Sequence, residues 1–410
     1  MESINFEQVD IFVSCPIYLE ILLEKEIQDI LPGHAIVHAR GGVSLSQVTP
    51  RQIFLLLLGL RTASRLFINL FNFRFGNESE FYQKGVELPW EEVLLPKDTF
   101  KFSTLLAYKA KDNVKNSHFY SLLAKDTLVD RLSKVLGKRP DVAKQLPDYP
   151  LYLHIDQANP QLMTAQFMLD ICGFPLSNRG YRLPGHEATL RENVAAGVAL
   201  FAQLQEKKTP VVDLTCGTGT LLIESMWVAK NIAPSIVKLD GYLNRGKNPW
   251  AFIFQRWFSE NKKMKSQFDE LANMFYQDSM KKLGQKPDQK FIGIDNNSDY
   301  LNLAKQTIER ALVKNWIQIE YGDCLQMPAV FSGEGTVLSN LPYGERMEDD
   351  HLEDFYYQFG ENLKKNFKGT SAFLLSSRAD LRKKISLRTS ARIPLMNGDL
   401  ECRLYRYDLF

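Results

Sequence analysis

At 410 residues the chain exceeds one ordinary domain, so two or three folding units are expected. Hydrophobic residues make up 45% and charged residues 24%, a balance typical of globular proteins, and a net charge of +2 excludes a chain-wide polycation. Five widely spaced cysteines (Cys15, Cys172, Cys216, Cys324 and Cys402) with no C-x-x-C pair exclude a zinc ribbon or a disulfide framework, and no metal is expected.

The N-terminus carries early acidic residues and no basic, apolar leader, and the apolar run Ile53 to Leu58 is too short to cross a bilayer. A cytoplasmic protein without membrane contact is expected. Residues 1–75 read as a small α+β unit. Asp10 to Cys15 is strand-like, Pro16 opens a helix through Leu19, Leu23 and Ile27, and Gly41-Gly42 turns between two strands. Thr49-Pro50 then starts a helix carrying the apolar run.

Residues 76–157 read as helix, strand, helix, strand. Between 101 and 150 there are ten Lys/Arg against five Asp/Glu, a local excess that the global balance hides. Lys115, Arg131, Lys134, Lys138 and Arg139 are its candidate phosphate contacts. Residues 158–189 are expected to be a connector. Within it, Arg179-Gly180-Tyr181-Arg182 joins cations to an aromatic ring, a pattern suited to touching nucleic acid.

The third unit, residues 190–410, opens with a helix from Leu190. Pro210-Val-Val-Asp213-Leu-Thr215-Cys216-Gly217-Thr218-Gly219-Thr220 then reads as strand, glycine turn and helix start, the first βα unit of a doubly wound sheet. The glycines admit a ligand close to the backbone. Asp213 at the strand end would repel a pyrophosphate but attract an ammonium, and the third glycine of a dinucleotide loop is missing. S-adenosylmethionine fits this better than a nicotinamide cofactor. Two later strands also end in carboxylates. Asp295, followed by Asn296, can accept both ribose hydroxyls, and Asp323, followed by Cys324, can accept an adenine amine. Asp295 lies well beyond the roughly 20-residue spacing of a simple dinucleotide fold. Residues 240–290 are therefore an expected helical insertion, rich in aromatics such as Trp250, Phe252, Phe254, Trp257 and Phe258.

A final strand leads into Asn340-Leu341-Pro342-Tyr343-Gly344-Glu345-Arg346. The Asn340 side-chain oxygen and the Leu341 carbonyl can each accept a hydrogen bond from an exocyclic NH2 group. Pro342 holds the preceding residue extended, and Tyr343 offers a flat face to a base.

Together the motifs resemble the THUMP-domain RNA methyltransferases, specifically the bacterial 23S rRNA guanine-N2-methyltransferases often labelled N6-adenine-specific DNA methylases. Asp213 to Glu224 is similar to the family's D-x-x-C-G-S/T-G-T-L-L-I-E loop, Asn340 to Arg346 to its N-P-P-Y-G-E-R, and Arg179 to Arg182 to its R-G-Y-R connector. Leu341 stands where the family usually has proline. The resemblance implies a Rossmann-like class I methyltransferase domain preceded by ferredoxin-like and THUMP parts, with 23S rRNA or a ribosomal precursor as partner. It also implies that the second methyltransferase domain of some relatives is absent here. Adenine N6 in DNA or RNA, and a non-catalytic RNA-binding or assembly role, are the alternative readings.

Overall fold

The structure is a computed structural model that describes residues 7–107, 115–143, 145–159, 161–183, 190–247, 261–342 and 349–410. In chain order its N-terminal elements are β1 (Val9–Ser14), α1 (Glu20–Ile30), β2 (Ile36–Ala39), β3 (Gly42–Val48), α2 (Pro50–Gly59), β4 (Arg65–Phe75), α3 (Glu78–Glu87), β5 (Thr99–Leu106), α4 (Ser117–Leu136), β6 (Asp141–Val142), β7 (Tyr149–Asn159) and β8 (Leu162–Asp170). Helix α2 starts where expected. The Thr49 side chain accepts from Gln52 N and the Gln52 side chain returns to Thr49 N, a reciprocal cap of the kind worth about 1 kcal/mol.

These strands form one eight-stranded sheet in the order β2-β3-β1-β4-β8-β7-β5-β6. The segment expected to be a connector therefore begins as a central strand. β8 pairs antiparallel with both β4 and β7, because Met163, Ala165, Phe167 and Leu169 alternate into the core. The two units expected at 1–75 and 76–157 thus share one sheet.

The second layer system comprises α5 (Glu192–Phe201), β9 (Val211–Asp213), α6 (Thr220–Ala229), α7 (Ile236–Arg245), α8 (Lys262–Leu283), β10 (Phe291–Asp295), α9 (Ser298–Arg310), β11 (Ile317–Tyr321), β12 (Gly335–Asn340), α10 (Asp349–Asn366), β13 (Thr370–Ser376), β14 (Ala391–Asn397) and β15 (Leu400–Asp408). A 3-10 turn, Leu381–Ile385, precedes β14. The sheet order is β11-β10-β9-β12-β13-β15-β14, with every strand parallel except β15, which runs antiparallel to both β13 and β14. Strand order reverses between β9 and β12, the point at which open α/β sheets hold ligands.

Among the described residues the expected insertion holds the end of α7 and the whole of α8. Its aromatic residues Trp250, Phe252, Phe254, Trp257 and Phe258 lie outside the described residues. Helix α8 packs on α2 of the N-terminal half: Phe54 and Phe268 meet edge to face at 5.3 Å, and Arg51 pairs with Glu270 at 2.9 Å. Ser235 Oγ donates to the Leu58 carbonyl at 2.7 Å across the same junction. Among the described residues no helix is long and apolar enough to cross a membrane.

Candidate active site

Four parallel strands deliver polar side chains to one edge of the second sheet. Asp213 ends β9, Asp295 ends β10, Asp323 follows β11 and Asn340 ends β12. Registers align Asp213 with Gly293 on one side and Leu338 on the other, so Asp295 and Asn340 each stand two residues further along their strands.

The loop after β9 is held by backbone contacts to those neighbours. Cys216 N donates to the Ile294 carbonyl and Gly217 N to Asp295 Oδ2, both at 2.9 Å. Gly217 and Gly219 have φ of +53° and +84°, conformations that side chains rarely adopt. A Cβ at Gly217 would meet nothing within 4 Å, so the backbone there is open to a ligand. Thr215 ties this loop to the last strand. Its hydroxyl lies 2.6 Å from Ser339 Oγ and donates to the Asn340 carbonyl at 3.2 Å. Ser339 carried no signal in the sequence, since a serine inside a buried strand looks like any other.

Asp213 is buried and accepts from Thr215 N at 3.1 Å. Burial raises its pKa to about 7, with Asp295 adding repulsion against the Thr215 hydrogen bond. No lysine or arginine among the described residues pairs with Asp213 or Asp295. An acidic pair of this kind beside an open glycine backbone fits a ligand bearing an ammonium and ribose hydroxyls, and opposes a pyrophosphate. Asp295 Oδ1 holds Asn297 N at 2.9 Å, Asn296 is exposed, and Thr218 is half-buried in the loop. Asp323 Oδ1 accepts from Leu325 N at 2.9 Å. Cys216 and Cys324 point into the core, where burial pushes both thiols up, that of Cys324 to about 12, so only their backbones are available to a ligand.

Leu341 is buried, with its N–H donating to the Leu375 carbonyl at 3.0 Å. The Pro342 carbonyl lies 3.3 Å from the Tyr356 hydroxyl, which itself lies 2.6 Å from Ser376 Oγ. These contacts anchor the start of the loop from both adjacent elements. Tyr343, and Gly344 to Arg346 after it, lie outside the described residues.

The expected RNA contacts divide. Lys134, Lys138 and Arg139 are exposed around the C-terminal end of α4. Lys115 is exposed but sits 3.5 Å from Glu78 and 4.3 Å over the Phe119 ring. Arg131 is committed to Glu91, which takes both its Nε, at 3.0 Å, and its Nη2. Arg179 and Tyr181 are corrected outright, being 2% and 0% exposed. Arg179 donates to the Leu176 and Arg61 carbonyls and lies 3.5 Å from Glu224. The Tyr181 hydroxyl donates to Glu224 Oε1 at 2.9 Å. Arg182 pairs with Glu192 at 3.0 Å and donates to the Leu190 carbonyl. Arg182 stays half-buried, while Arg179 ties the Arg61 carbonyl of the first half to Glu224 of the second. Glu224, its buried counter-charge on α6, was part of the loop motif but had no role assigned from sequence.

Strand order, switch-point position and strand-end acids define a class I, Rossmann-like methyltransferase, a fold class whose methyl donor is S-adenosylmethionine. Residues 179–406 match the RMKL-like methyltransferase domain family, and residues 75–164 match the THUMP domain family. The chain belongs to this RMKL-like methyltransferase family. It is 30% identical over 412 residues to the ribosomal RNA large subunit methyltransferase K/L of Allochromatium vinosum, covering 97% of this chain and 51% of that protein. The slr0064 protein of Synechocystis sp., assigned as an RNA methyltransferase, is 30% identical over 82% of this chain and 80% of its own length. The chain thus spans about half the length of the K/L relatives it matches. The crystal structure of SMU.472 with S-adenosylhomocysteine shares the fold, with TM-score 0.79, 22% identity and coverage of 98% and 99% of the two chains.

The buried Asp213 carries a pH signature. Because its pKa is raised to about 7, the carboxylate that would attract an ammonium is scarce at pH 6 and abundant at pH 7.5. S-adenosylmethionine should therefore bind about eightfold more weakly at pH 6 than at pH 7.5, the ratio of ionised fractions. Calorimetric titration at the two pH values checks this, and Asp213→Asn should both weaken binding and flatten the dependence.

Proposed function

We propose that the chain transfers a methyl group from S-adenosylmethionine to the exocyclic N2 amine of a guanine in 23S rRNA, in the cytoplasm, on free rRNA or a ribosomal precursor. The observation that supports this most is the joining of Asn340 to the glycine loop through Thr215, which sets amine acceptors beside the candidate cofactor site. The names of the K/L relatives support ribosomal RNA as the substrate class. The choice of guanine N2 over adenine N6 rests on the family resemblance, since the loop can grip either amine.

Asp213 and the backbone of Gly217 to Gly219 would hold the methionine end, Asp295 and Asn296 the ribose, and Asp323 with the Cys324 backbone the adenine. Bound there, the cofactor supplies an electrophilic methyl on sulfur. Asn340 Oδ1 and the Leu341 carbonyl accept the two amine N–H bonds and so aim the nitrogen lone pair. Pro342 keeps that carbonyl in place, and Tyr343 stacks on the base. Catalysis is then mainly positioning, a contribution worth up to about 7–11 kcal/mol when alignment is good. No strong base is required, because the amine proton leaves after transfer.

Incubation with methyl-labelled cofactor and either unmodified 23S rRNA or duplex DNA, followed by nucleoside mass mapping, tests the reading. Label in N2-methylguanosine from RNA is expected. Label confined to DNA, or to N6-methyladenosine, overturns it.

A further inference from the structure

The C-terminal hairpin carries cations of its own, apart from those of the N-terminal half. Arg392 on β14 lies directly opposite Tyr405 on β15, and Arg403 on β15 lies opposite Ser376 at the end of β13. Directly opposed residues of an antiparallel pair share a sheet face, with Cβ atoms about 5 Å apart. Arg403 and Tyr405, two residues apart on one strand, also share a face, so Arg392 and Arg403 stand together. Arg382 joins them from the 3-10 turn, whose Leu381 and Ile385 are buried in one cluster with Tyr405 and Tyr407, and its charge bears on both tyrosines. That turn is seated firmly: a Cβ on Gly360 of α10 would come within 2.1 Å of the Ile385 carbonyl.

Counter-charge is thin around these three. Asp380 is taken by Arg378, Asp408 by Arg406, and Glu353 by Lys384. Among the described residues Arg403 meets exposed Glu401 at 3.6 Å and bonds the Tyr405 side chain, and Arg392 donates to the Thr389 hydroxyl at 3.1 Å. The patch is also close to the amine-gripping loop. From the Pro342 carbonyl, the Tyr356 hydroxyl leads to Ser376, the cross-strand neighbour of Arg403. A run of solvated charge would be spread over the surface and paired. Here Arg392 and Arg403 share one sheet face, with Arg382 beside them on the turn.

We propose that Arg382, Arg392 and Arg403 form a phosphate clamp that holds the RNA backbone beside the target nucleotide. The inference rests on RNA being the substrate. It gives the methyltransferase half its own grip on the strand, where bidentate guanidiniums suit phosphate oxygens. The THUMP surface can then bind at a distance while the clamp sets which nucleotide reaches Asn340.

The test compares the full-length chain with R382Q/R392Q/R403Q and with K364Q/K365Q/K368Q, a control with equal charge loss at the opposite end of α10. Methyl transfer to an rRNA fragment is measured across a salt series. The arginine variant should raise KM for RNA about tenfold or more, leave KM for S-adenosylmethionine within about twofold, and flatten the salt dependence of RNA binding by about two to three. The lysine control should change neither. Should the triple variant lose its circular dichroism signature, Arg382→Glu, at a half-buried position of the turn, serves instead, with the same KM split expected. RNA methylation by the wild type with unchanged KM and salt slope in the arginine variant overturns the clamp alone. An equal effect from the lysine control overturns it too, as diffuse attraction. No RNA methylation by the wild type overturns the substrate reading, and the clamp with it.

Discussion

Asn340→Ala will lower turnover by at least about 10²–10³-fold while S-adenosylmethionine binding changes little. Removing one preorganised hydrogen-bonding group aimed at the reacting centre has that scale of effect elsewhere. The separation follows from where Asn340 stands. Its carbonyl is tied to the Thr215 hydroxyl and the following N–H to Leu375, contacts that alanine preserves. Only the side-chain acceptor is lost, and with it the alignment of the amine. Asn340→Asp keeps an oxygen in the same position and should retain more turnover than alanine. Calorimetry with the cofactor and single-turnover methyl transfer measure the two quantities separately. Loss of cofactor binding in step with turnover would place Asn340 in the cofactor site instead of against the amine.

Arg179→Ala will destabilise the fold by about 3–5 kcal/mol, the cost of leaving one member of a buried ion pair behind. Arg179 is the largest influence holding down the pKa of Glu224, which burial nevertheless raises, with the Tyr181 hydroxyl and Arg61 helping Arg179. Without the guanidinium, the carboxyl rises further and takes up a proton. The sign follows. A buried carboxyl with a raised native pKa binds a proton that the unfolded chain has released, so its burden grows as pH climbs from the ordinary carboxylate range to the native value. The deficit of Arg179→Ala should therefore be larger at pH 8 than at pH 5.5, as read from urea midpoints. Arg179→Met with Glu224→Gln removes both charges, and should recover part of the loss. A deficit independent of pH would mean that Arg179 matters through its carbonyl contacts to Leu176 and Arg61 rather than through Glu224.

The framework of the candidate site was legible wherever its information is local. A strand ending in Asp213, glycines at positive φ and the start of α6 follow one another directly, and each carboxylate sits at the end of its own apolar run. The Asn340 loop is similarly continuous, although Tyr343 lies outside the described residues. Legibility failed where a residue's partner is remote in sequence. Arg179 and Tyr181 read as a nucleic-acid motif because cations beside an aromatic ring look alike on a surface and in a junction. Their partner Glu224 lies more than forty positions away, and nothing local shows that the three meet. Arg131 failed in the same way, its guanidinium turned to Glu91.

The chain by itself determined the class of chemistry, because acids at strand ends, a glycine turn and an Asn-x-Pro after the last strand are properties of short, contiguous segments. Tertiary structure alone decided which cations face solvent and where the C-terminal strands go. Inserting β15 antiparallel between β13 and β14 gathers Arg392 and Arg403 on one face, beside Arg382 of the 3-10 turn. Pairing between strands is a long-range choice, fixed by burial of both sheet faces together, and no local pattern of residues encodes it.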